Sequence, residues 1–590
     1  MPDHDYYEAE VECRSGCPVK TDARGYLIAT YKGDYLTGYK ISRATNPFAS
    51  ICGKVCGAPC ETACRRKEVD ETLSIRNIKG FLTSKYGPEC GDLFTPLTYS
   101  TARGSHNPKL TGKTVGIIGG GVAGFTCAHD LARLGHSVTI FEREYISGGM
   151  LVQGVPLNRL SREVIKSEID SILQYKHIEV IHNCEVGKDI SFNEIRNKFD
   201  AVFIAVGLSV GRILPMENAN HPNVYSGLQF LLDFNFYRGW DLSNKKSVVI
   251  GGGDVAFDVA RSALRCKSSN VELCCVEREH LGEMRGSKDE RDGGRREGVI
   301  INDGWGPSKI EIVDGKMKGL WVQKVKRVMD ENGRFNPEYY DEKRLLEGDC
   351  VFMAVGQTSN LNFLDQSGVE IDRGIIKTDK ITRATNLVGV YAGGDVALGP
   401  KLFIDGIQTG SEAALAIDAY LTKTILMQPY RKLQYKEIED YDRSNHYLLR
   451  PKIDRVELPV NVVTEPLKNT TVEYPEEVAI NEGARCLECH IHPTFEGEIC
   501  ILCGGCVDVC PSYCLSMVSI DAITGGKDIE LLLDLEFGKK IRKSEEGSVM
   551  LFDPLKCIRC GMCAIKCPTG SCKMSENDII EDVYIERVEK

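Results

Sequence analysis

The chain has no run of apolar residues as long as a bilayer-spanning helix requires, which argues against an integral membrane protein. It also has no long basic run, and its formal net charge of -11 disfavours nucleic acid as a partner. Residues Met1 to Glu12 are polar and acidic, so no secretory signal peptide is expected there. These absences predict a cytoplasmic protein with no membrane span.

Cysteine, by contrast, is abundant, with 25 residues, and in a reducing cytoplasm this indicates metal ligation rather than disulfides. A Cys-x2-Cys-x2-Cys-x3-Cys-Pro run occurs twice, at 500–511 and 557–568. This repeat is typical of a bacterial ferredoxin with two [4Fe–4S] clusters, in which the fourth cysteine of each run binds the other cluster. The predicted ligand sets are Cys500, Cys503, Cys506 with Cys567, and Cys557, Cys560, Cys563 with Cys510.

A zinc ribbon or a disulfide scaffold is the alternative interpretation of these runs. Two full copies, each with its trailing proline, disfavour it. Because such clusters carry single electrons, the sequence predicts electron transfer and raises the question of where the electrons come from.

A complete dinucleotide-binding pattern lies upstream. The apolar strand 114–118 is followed by Gly119-x-Gly121-x-x-Gly124, a helical pattern and a second strand that ends at Glu142. The glycines allow a tight turn and a close approach of a pyrophosphate, and the helix N-terminus supplies amide donors. Glu142 is predicted to accept hydrogen bonds from a ribose. A glycine-rich loop that merely packs is the alternative.

A second dinucleotide pattern is inserted within the first. The strand 247–250 leads into Gly251-x-Gly253-x-x-Ala256, with Asp254 inside the turn, and the following strand ends at Glu277. An acid at this place binds both ribose hydroxyls of NAD(H) and repels the 2′-phosphate of NADP(H), whereas the adjacent Arg278 could bind that phosphate. The choice between the two nucleotides therefore stays open.

Hydride transfer between a nicotinamide and a flavin needs no catalytic side chain, because the cofactors carry the chemistry. No Ser-His-Asp or paired-carboxylate arrangement is visible, and no catalytic residue is assigned. Two further apolar strands end in Gly207 and Gly356, and we expect them to carry the chain between the two nucleotide domains.

The chain resembles the small subunit of glutamate synthase, the large subunit of NADH-dependent ferredoxin:NADP oxidoreductase and the N-terminal half of dihydropyrimidine dehydrogenase. The resemblance covers residues 10 to about 425. It is carried by Gly148-Gly149-Met150-Leu151, Gly154-Val155-Pro156, Arg159-Leu160, Gly251-Gly252-Gly253-Asp254, Glu283-Met284 and Ala392-Gly393-Gly394-Asp395. It implies FAD, a nicotinamide nucleotide and an N-terminal helical domain with [4Fe–4S] clusters. It also places Gly149, Met150, Arg159, Gly394 and Asp395 at the cofactor, with Asp395 on the ribityl chain of FAD.

The N-terminal cysteines depart from this family. The family begins with Cys-x2-Cys-x4-Cys-x3-Cys-Pro, but here only Cys13-x3-Cys17-Pro18 is present, and the missing pair occurs far downstream as Cys486 and Cys489. We expect this relocated pair to fold back onto the N-terminal domain; a separate site, or no site at all, is the alternative. Where the family has an acidic or amide ligand, this chain has Lys79, and Cys52 would replace that ligand. The resemblance then implies two sets, Cys13, Cys64, Cys486, Cys489 and Cys17, Cys52, Cys56, Cys60.

The nine remaining cysteines are predicted to be structural, most of them small core residues. His490 and His492 follow Cys489 and are predicted to lie at the surface; tuning of a nearby cluster is the alternative. The fold class is α/β: two nested, doubly wound Rossmann-like domains, an N-terminal α-helical iron–sulfur domain and a C-terminal α+β bacterial-ferredoxin domain. The expected domains are 1–108 for the N-terminal clusters, 109–245 and 350–425 for FAD, 246–349 for NAD(P), a linker at 426–475, and 476–590 for the Cys-x2-Cys pair and ferredoxin.

These patterns predict an electron-relay flavoprotein subunit with FAD, four [4Fe–4S] clusters, and NAD(H) or NADP(H) as substrate. Its expected partner is another redox subunit, such as a hydrogenase, a formate dehydrogenase or a similar low-potential oxidoreductase, with ferredoxin as a further candidate. The charged tail, Glu576 to Lys590, favours a docking surface. Two alternatives stay open: a glutamate synthase small subunit, and a non-catalytic electron wire.

Overall fold

The computed structural model describes residues 9–93, 108–424, 426, 430–439, 441, 443, 450–458, 461, 463–523, 527, 531, 535 and 547–582. The part of the charged tail beyond Asp582 lies outside these residues. Within them, no helix is both long enough and apolar enough to span a membrane.

The helices, α1 to α18 in chain order, are Glu12–Ser15, Ala23–Tyr31, Tyr35–Arg43, Ala49–Val55, Pro59–Ala63, Ile75–Tyr86, Val122–Arg133, Met150–Gln153, Arg162–Ile172, Phe192–Lys198, Gly227–Asn235, Asp254–Arg265, Lys288–Glu297, Asp395–Leu398, Phe403–Thr422, Glu476–Gly483, Gly505–Asp508 and Met562–Lys566. The strands, β1 to β22, are Thr114–Ile118, Ser137–Phe141, Ile178–Ile181, Ala201–Ile204, Val210–Gly211, Val224–Ser226, Lys246–Ile250, Asn270–Cys275, Ile300–Asp303, Trp305–Val313, Lys316–Met329, Phe335–Glu347, Cys350–Met353, Gln357–Thr358, Ile371–Asp372, Ile375–Ile376, Val390–Ala392, Tyr430–Ile438, Ile491–Phe495, Leu515–Ser519, Ser548–Phe552 and Cys572–Asp582.

Helices α1 to α6 form the N-terminal domain. Asp22 and Asp34 cap α2 and α3 by accepting hydrogen bonds from the amides of Gly25 and Thr37, at 3.0 and 3.2 Å. The apolar faces of these helices meet in a core that also contains Tyr474, Ala479 and Cys486. A segment from the far end of the chain therefore completes this domain.

The first nucleotide sheet is parallel, in the order β17-β4-β1-β2-β3, with α7 and α15 packed against each other beside it. The apolar strands are buried because helices cover the sheet. The late strand β17 pairs with β4, so Gly394 and Asp395 return to the edge where the first glycine motif lies.

The second nucleotide sheet is also parallel, in the order β6-β13-β7-β8-β9, and a three-stranded antiparallel sheet, β10-β11-β12, extends the same domain. The expected fold class, two nested doubly wound domains between two iron–sulfur domains, is confirmed. The strand positions differ from the expected boundaries at 245 and 350, because β6 and β13 both belong to the second sheet. The chain crosses between the sheets at the short antiparallel pair β5 and β14.

The C-terminal domain contains the antiparallel sheet β18-β22-β19 and the hairpin of β20 and β21. Strand β18 comes from the region expected to be a linker and pairs with β22 along its whole length. The rest of that region, where it is described, lies on the N-terminal domain: the Arg450 amide donates to Asp70 at 2.9 Å. Much of the expected linker is therefore part of the two iron–sulfur domains.

Candidate functional site

A cavity of about 320 Å³ opens at the carboxyl edge of the first sheet. Ligands of open α/β sheets bind at this edge. Seven of the residues predicted from sequence to bind the first cofactor line the cavity: Gly119, Gly121, Glu142, Gly149, Met150, Gly394 and Asp395. Gly207, expected at a crossing between the nucleotide domains, lines it too.

Glu142 lies at the end of β2, and both of its carboxylate oxygens accept backbone hydrogen bonds, from Gly120 and Glu144, each at 2.8 Å. Burial raises the pKa of this carboxyl group, while the two amide donors lower it. The side chain is therefore fixed against the glycine turn. Each carboxylate oxygen keeps a further lone pair, which could accept a hydrogen bond from a ribose in the cavity.

The glycines of the first motif have different surroundings. A Cβ on Gly124 would collide with the carbonyl oxygen of Gly119, so this position is required for the turn itself. A Cβ on Gly121 would meet only the Gly149 Cα at 3.9 Å, and the backbone there is extended. Gly121 therefore leaves open the space that a pyrophosphate would occupy, which fits FAD.

Asp395 begins α14 at the same edge. Burial raises its pKa to about 6, although a hydrogen bond from the backbone of Lys401 lowers it. The preceding Gly394 donates its amide to the Thr409 hydroxyl of α15 at 2.8 Å, which fixes the turn. A half-buried carboxyl group in this place suits a hydroxyl-rich chain such as the ribityl group of FAD.

Arg159 does not line this cavity. Its guanidinium pairs with Asp258 at 2.7 Å and with Glu290 at 2.8 Å, both in the second nucleotide domain. The structure thus places Arg159 in an ion pair between the domains and not at the flavin, because two carboxylates already occupy its donors.

Several lining residues were not found from the sequence. They are Cys184 to Lys188, in the turn after β3, and Asn360, Asn362 and Phe363, which follow β14. Cys184 was expected to be a core residue. Its position directly after a strand of the first sheet was the available signal, since loops at this edge face the ligand.

In the second domain, Gly253 has no atom within 4 Å of a potential Cβ, so space for a pyrophosphate is open there too. Gly251 packs against the Ala354 carbonyl, and Ala256 is fully buried beneath the turn. Asp254 accepts the Ser287 amide at 2.7 Å, which joins α12 to the loop before α13. This arrangement fits a nicotinamide nucleotide.

Glu277 and Arg278 have unequal access to a ribose. The Glu277 carboxylate lies beside Gly252 in the second motif, whose Cβ would be 2.7 Å from it. Arg278 is paired with Glu283 through two bonds, at 2.6 and 2.8 Å.

Gly356 lies in the crossing between the sheets, where its carbonyl accepts the Arg212 amide at 3.0 Å.

The relocated cysteine pair lies on the N-terminal domain. Cys13, Cys64, Cys486 and Cys489 line one small cavity together, which is the set implied by the family resemblance. Helix α16 brings the pair there, and it packs so closely on α2 that a Cβ on Gly483 would be 2.8 Å from the Leu27 carbonyl oxygen.

A buried ion network holds this pair in place. Arg485 is 2% exposed and binds Glu482 at 2.7 Å and Asp70 at 3.0 Å. Burial raises the pKa of Asp70, but hydrogen bonds from the Arg66 guanidinium and from backbone amides outweigh it and hold the pKa well below its usual range. Since an unpaired buried charge is costly, this network fixes the segment before Cys486 on the N-terminal domain.

The second N-terminal set is Cys17, Cys52, Cys56 and Cys60. The Asn46 side-chain amide donates to the Cys52 sulfur at 2.9 Å, and the Ala58 amide donates to the Cys56 sulfur at 3.4 Å. A hydrogen bond from Cys52 is the main cause that lowers the pKa of Cys56, and the nearby Lys79 lowers it further. Such donors stabilise thiolates, the form in which cysteine binds iron.

Each C-terminal run has an extra thiol beside it. The Cys514 sulfur lies 3.3 Å from that of Cys510, and the Cys572 amide donates to the Cys567 sulfur at 3.3 Å.

His490 and His492 were predicted to lie at the surface, but both are 4% exposed. They are buried because β19 is covered by β22 and by the N-terminal domain; burial and the nearby Arg559 lower the pKa of His492 to about 2.

Within the described residues, no three Cys, His, Asp or Glu side chains converge closely enough to bind a single metal ion. One N-terminal set, Cys13, Cys64, Cys486 and Cys489, instead lines a small cavity, and Cys17, Cys52 and Cys56 of the other lie in one buried core. The two C-terminal sets follow the ferredoxin spacing. The donor chemistry, four thiols in each set, fits an iron–sulfur cluster.

Residues 113–414 match the family described as pyridine nucleotide-disulphide oxidoreductase. The chain belongs to this family. Residues 7–88 match dihydropyrimidine dehydrogenase domain II with its 4Fe-4S cluster, and residues 499–571 match a 4Fe-4S dicluster domain. The three matches together describe a nucleotide-binding oxidoreductase domain between two iron–sulfur domains.

Three curated relatives are informative. NADP(+)-dependent formate dehydrogenase subunit beta of Moorella thermoacetica is 36% identical over 69% of this chain and 60% of its own length. NADPH-Fe(3+) oxidoreductase subunit beta of Geobacter sulfurreducens is 29% identical over 81% of this chain and 75% of its own. NAD-dependent dihydropyrimidine dehydrogenase subunit PreT of Escherichia coli O157:H7 is 31% identical over 70% of this chain and 91% of its own. The chain thus spans less than two thirds of the first relative.

Proposed function

We propose that this protein is the nicotinamide-nucleotide-handling subunit of a larger redox enzyme, and that it holds FAD and four [4Fe–4S] clusters. The observation that supports this most is the proximity of these sites: Cys17, Cys52 and Cys56 pack in the same core as the first nucleotide sheet, and cysteines of the two ferredoxin runs pack together in another. A protein that served only as a wire would not need the open space beside Gly121 and Gly253 in both nucleotide domains.

The first step of the path joins the flavin cavity to the set Cys17, Cys52, Cys56 and Cys60. Gly57, next to Cys56, packs on the Leu402 side chain, and the adjacent Phe403 lines the cavity. The buried Tyr26 packs in one core cluster with Cys64 and Cys486 of one N-terminal set, and Cys60 of the other set packs against the same cluster. Electrons could therefore pass between neighbouring redox centres inside the protein.

Each part of the chain has a separate task in this proposal. The glycine turns and Glu142 would hold FAD, and the second motif with Glu277 would hold the nucleotide. When bound, the nicotinamide and the flavin supply hydride transfer, and the clusters supply one-electron transfer. The protein contributes position, exclusion of water and the charges around each site.

Anaerobic titration with NADH or NADPH tests the proposal. We expect flavin absorbance to bleach and cluster EPR signals to develop with nucleotide, and neither to change in buffer alone. If dithionite reduces the protein but neither NADH nor NADPH does, the protein is instead a non-catalytic electron wire.

Protein purified under anaerobic conditions should contain about sixteen irons per chain, because each of the four sets should hold a cubane of about four irons. Iron and acid-labile sulfide analysis of the full chain would measure this. A value near eight, with both ferredoxin signals intact, would exclude the two N-terminal sets as cluster ligands.

NADH should be used at least about ten times more efficiently than NADPH, which corresponds to about 1.4 kcal/mol. The Glu277 carboxylate would repel a 2′-phosphate, and Glu283 occupies the guanidinium of Arg278. The printed names of the relatives include both NAD and NADP, so they do not decide between the two. Steady-state kcat/KM for each nucleotide with an artificial acceptor is the measurement.

A Glu277→Gln variant should narrow this preference for NADH over NADPH. Glu347→Gln should not change it, because Glu347 is an exposed acid of the same domain that pairs with Lys246. If wild-type protein prefers NADPH, the assignment of Glu277 is wrong.

We further propose that a partner redox subunit docks near residues 500–570, as suggested by relatives that are named as subunits of oxidoreductases. Removal of residues 495–590 would test this in principle. However, it would also delete β22, which lies between β18 and β19. Single substitutions in the ferredoxin runs are therefore the better test.

A further inference from the structure

The two ferredoxin runs have the same backbone but opposite surroundings. Leu502 and Arg559 occupy the same place in each run, directly before the second cysteine, and both have positive φ, 52° and 57°. Leu502 is 46% exposed, whereas Arg559 is 1% exposed. Two equivalent positions thus differ in their surroundings: the first run has an exposed apolar side chain there, and the second run has a buried cation.

Arg559 is buried against the N-terminal domain. Its guanidinium binds the Glu10 carboxylate at 3.0 Å, and Glu10 is also within 3.4 Å of Arg65. Arg65 in turn donates to the carbonyl oxygens of Pro554 at 2.5 Å and Cys557 at 3.5 Å. This buried Arg65–Glu10–Arg559 network connects the N-terminal domain to the second ferredoxin run.

The network also reaches the cysteines on both sides of this contact. Arg559 lies two residues after Cys557, and Arg65, which shares the Glu10 carboxylate with it, lines the cavity that contains Cys489 of the relocated pair. Cys557 and Cys560 are each 8% exposed. In contrast, Cys503 is the only exposed cysteine among all 25, every one of which lies in the described residues.

We propose that Arg559 is a positioning residue that joins the Cys489 side of the N-terminal domain to the second run, so that the two ferredoxin sets have fixed and different roles. The set Cys557, Cys560, Cys563 and Cys510 is the inner set, which exchanges electrons with the N-terminal domain. The set Cys500, Cys503, Cys506 and Cys567 is the outer set, which exchanges electrons with the partner. This inference rests on the proposed electron relay and assigns its order.

The charge of Arg559 gives the inference a measurable consequence. A reduced cluster carries one more negative charge than an oxidised one, and a buried cation beside it stabilises the reduced form. Each electron that enters the inner set is lost by the neighbouring N-terminal set, and no proton or further reactant is required. Removal of the cation should therefore lower the midpoint potential of the inner set and leave that of the outer set unchanged.

The test compares Arg559→Gln and Arg559→Lys with the matched Leu502→Gln, all in the full chain. The midpoint potentials of both ferredoxin clusters would be measured by EPR-monitored titration with chemical reductants. We expect Arg559→Gln to reduce the reduction equilibrium constant of one cluster by at least about tenfold, or about 59 mV for one electron. Arg559→Lys should restore most of this change, and Leu502→Gln should cause none.

Iron content shows whether each variant has assembled its clusters. Equal potentials in Arg559→Gln and wild-type protein, or the same shift in Leu502→Gln, would overturn the inference. Chemical reductants reduce the clusters in this titration, so the measured midpoint potentials do not depend on whether the protein oxidises a nucleotide. Failure of NADH and NADPH to reduce any cluster in wild-type protein would count against the proposed function instead.

The order of the two sets has its own test by freeze-quench EPR after mixing with NADH. In Cys560→Ala, the outer set should stay oxidised with NADH but be reduced by dithionite. In Cys503→Ala, the inner set should be reduced by NADH as in wild-type protein. The opposite pattern would assign the inner role to the first run and refute the proposal.

Discussion

Replacement of Cys489 by alanine should remove one cluster, about four irons per chain, while both ferredoxin signals remain. Cys489 lines the same cavity as Cys13, Cys64 and Cys486, although it lies 425 residues after Cys64. A cubane needs a ligand for each iron, and within the described residues the cavity is lined by no cysteine other than these four. Iron analysis and low-temperature EPR of the dithionite-reduced protein would measure the loss.

Cys90→Ala is the matched control, because Cys90 is a partly buried cysteine of the same domain whose thiol donates to the backbone carbonyls of Thr83 and Ser84. It should retain all iron. If Cys489→Ala loses a ferredoxin signal, or loses no iron, then the relocated pair does not serve the N-terminal domain.

Gly121→Ala and Gly253→Ala should separate the two nucleotide sites. Each methyl group would enter open space in the protein, so both variants should fold, but it would occupy the path of a pyrophosphate. We expect Gly121→Ala to weaken FAD binding by about 100-fold, because overpacking by the methyl group would cost roughly 3 kcal/mol of binding free energy. Gly253→Ala should keep its flavin and lose reduction by NADH and NADPH, while dithionite still reduces it.

Bound flavin, thermal unfolding and anaerobic nucleotide titration would be measured for both variants. Gly124→Ala is the contrasting variant, because its methyl group would collide with the Gly119 carbonyl and should destabilise the fold even without FAD. Normal nucleotide reduction in Gly253→Ala would show that the second motif does not bind the electron donor.

The sequence was sufficient for the motifs that chemistry constrains most. Glycine spacing after an apolar strand predicts the turn at Gly119 because few other residues allow it, and β1, α7 and β2 follow in the expected order. The spacing of the ferredoxin cysteines is equally constrained by the clusters. The fold-back of Cys486 and Cys489 could be expected because their local sequence matches what the family has at the N-terminus.

Features that depend on contacts between distant segments could not be predicted in this way. Arg159 was assigned to the cofactor, but its partners Asp258 and Glu290 lie about 100 residues or more away and in another domain. Arg278, a candidate for binding a 2′-phosphate, is paired with Glu283, which sequence proximity alone did not indicate. Similarly, His490 and His492 are buried by β22 and the N-terminal domain, and no local pattern reveals this.

The distance along the chain between Cys64 and Cys489 also has a consequence for biosynthesis. At roughly 5–20 residues per second, a ribosome needs roughly 20–85 seconds to synthesise the 425 residues between them. During that time both nucleotide domains can fold, while the cavity of Cys13 and Cys64 lacks two ligands and the core lacks Tyr474 and Ala479. Insertion of this cluster must therefore follow translation of Cys489, so that a nascent chain truncated before this residue cannot acquire it.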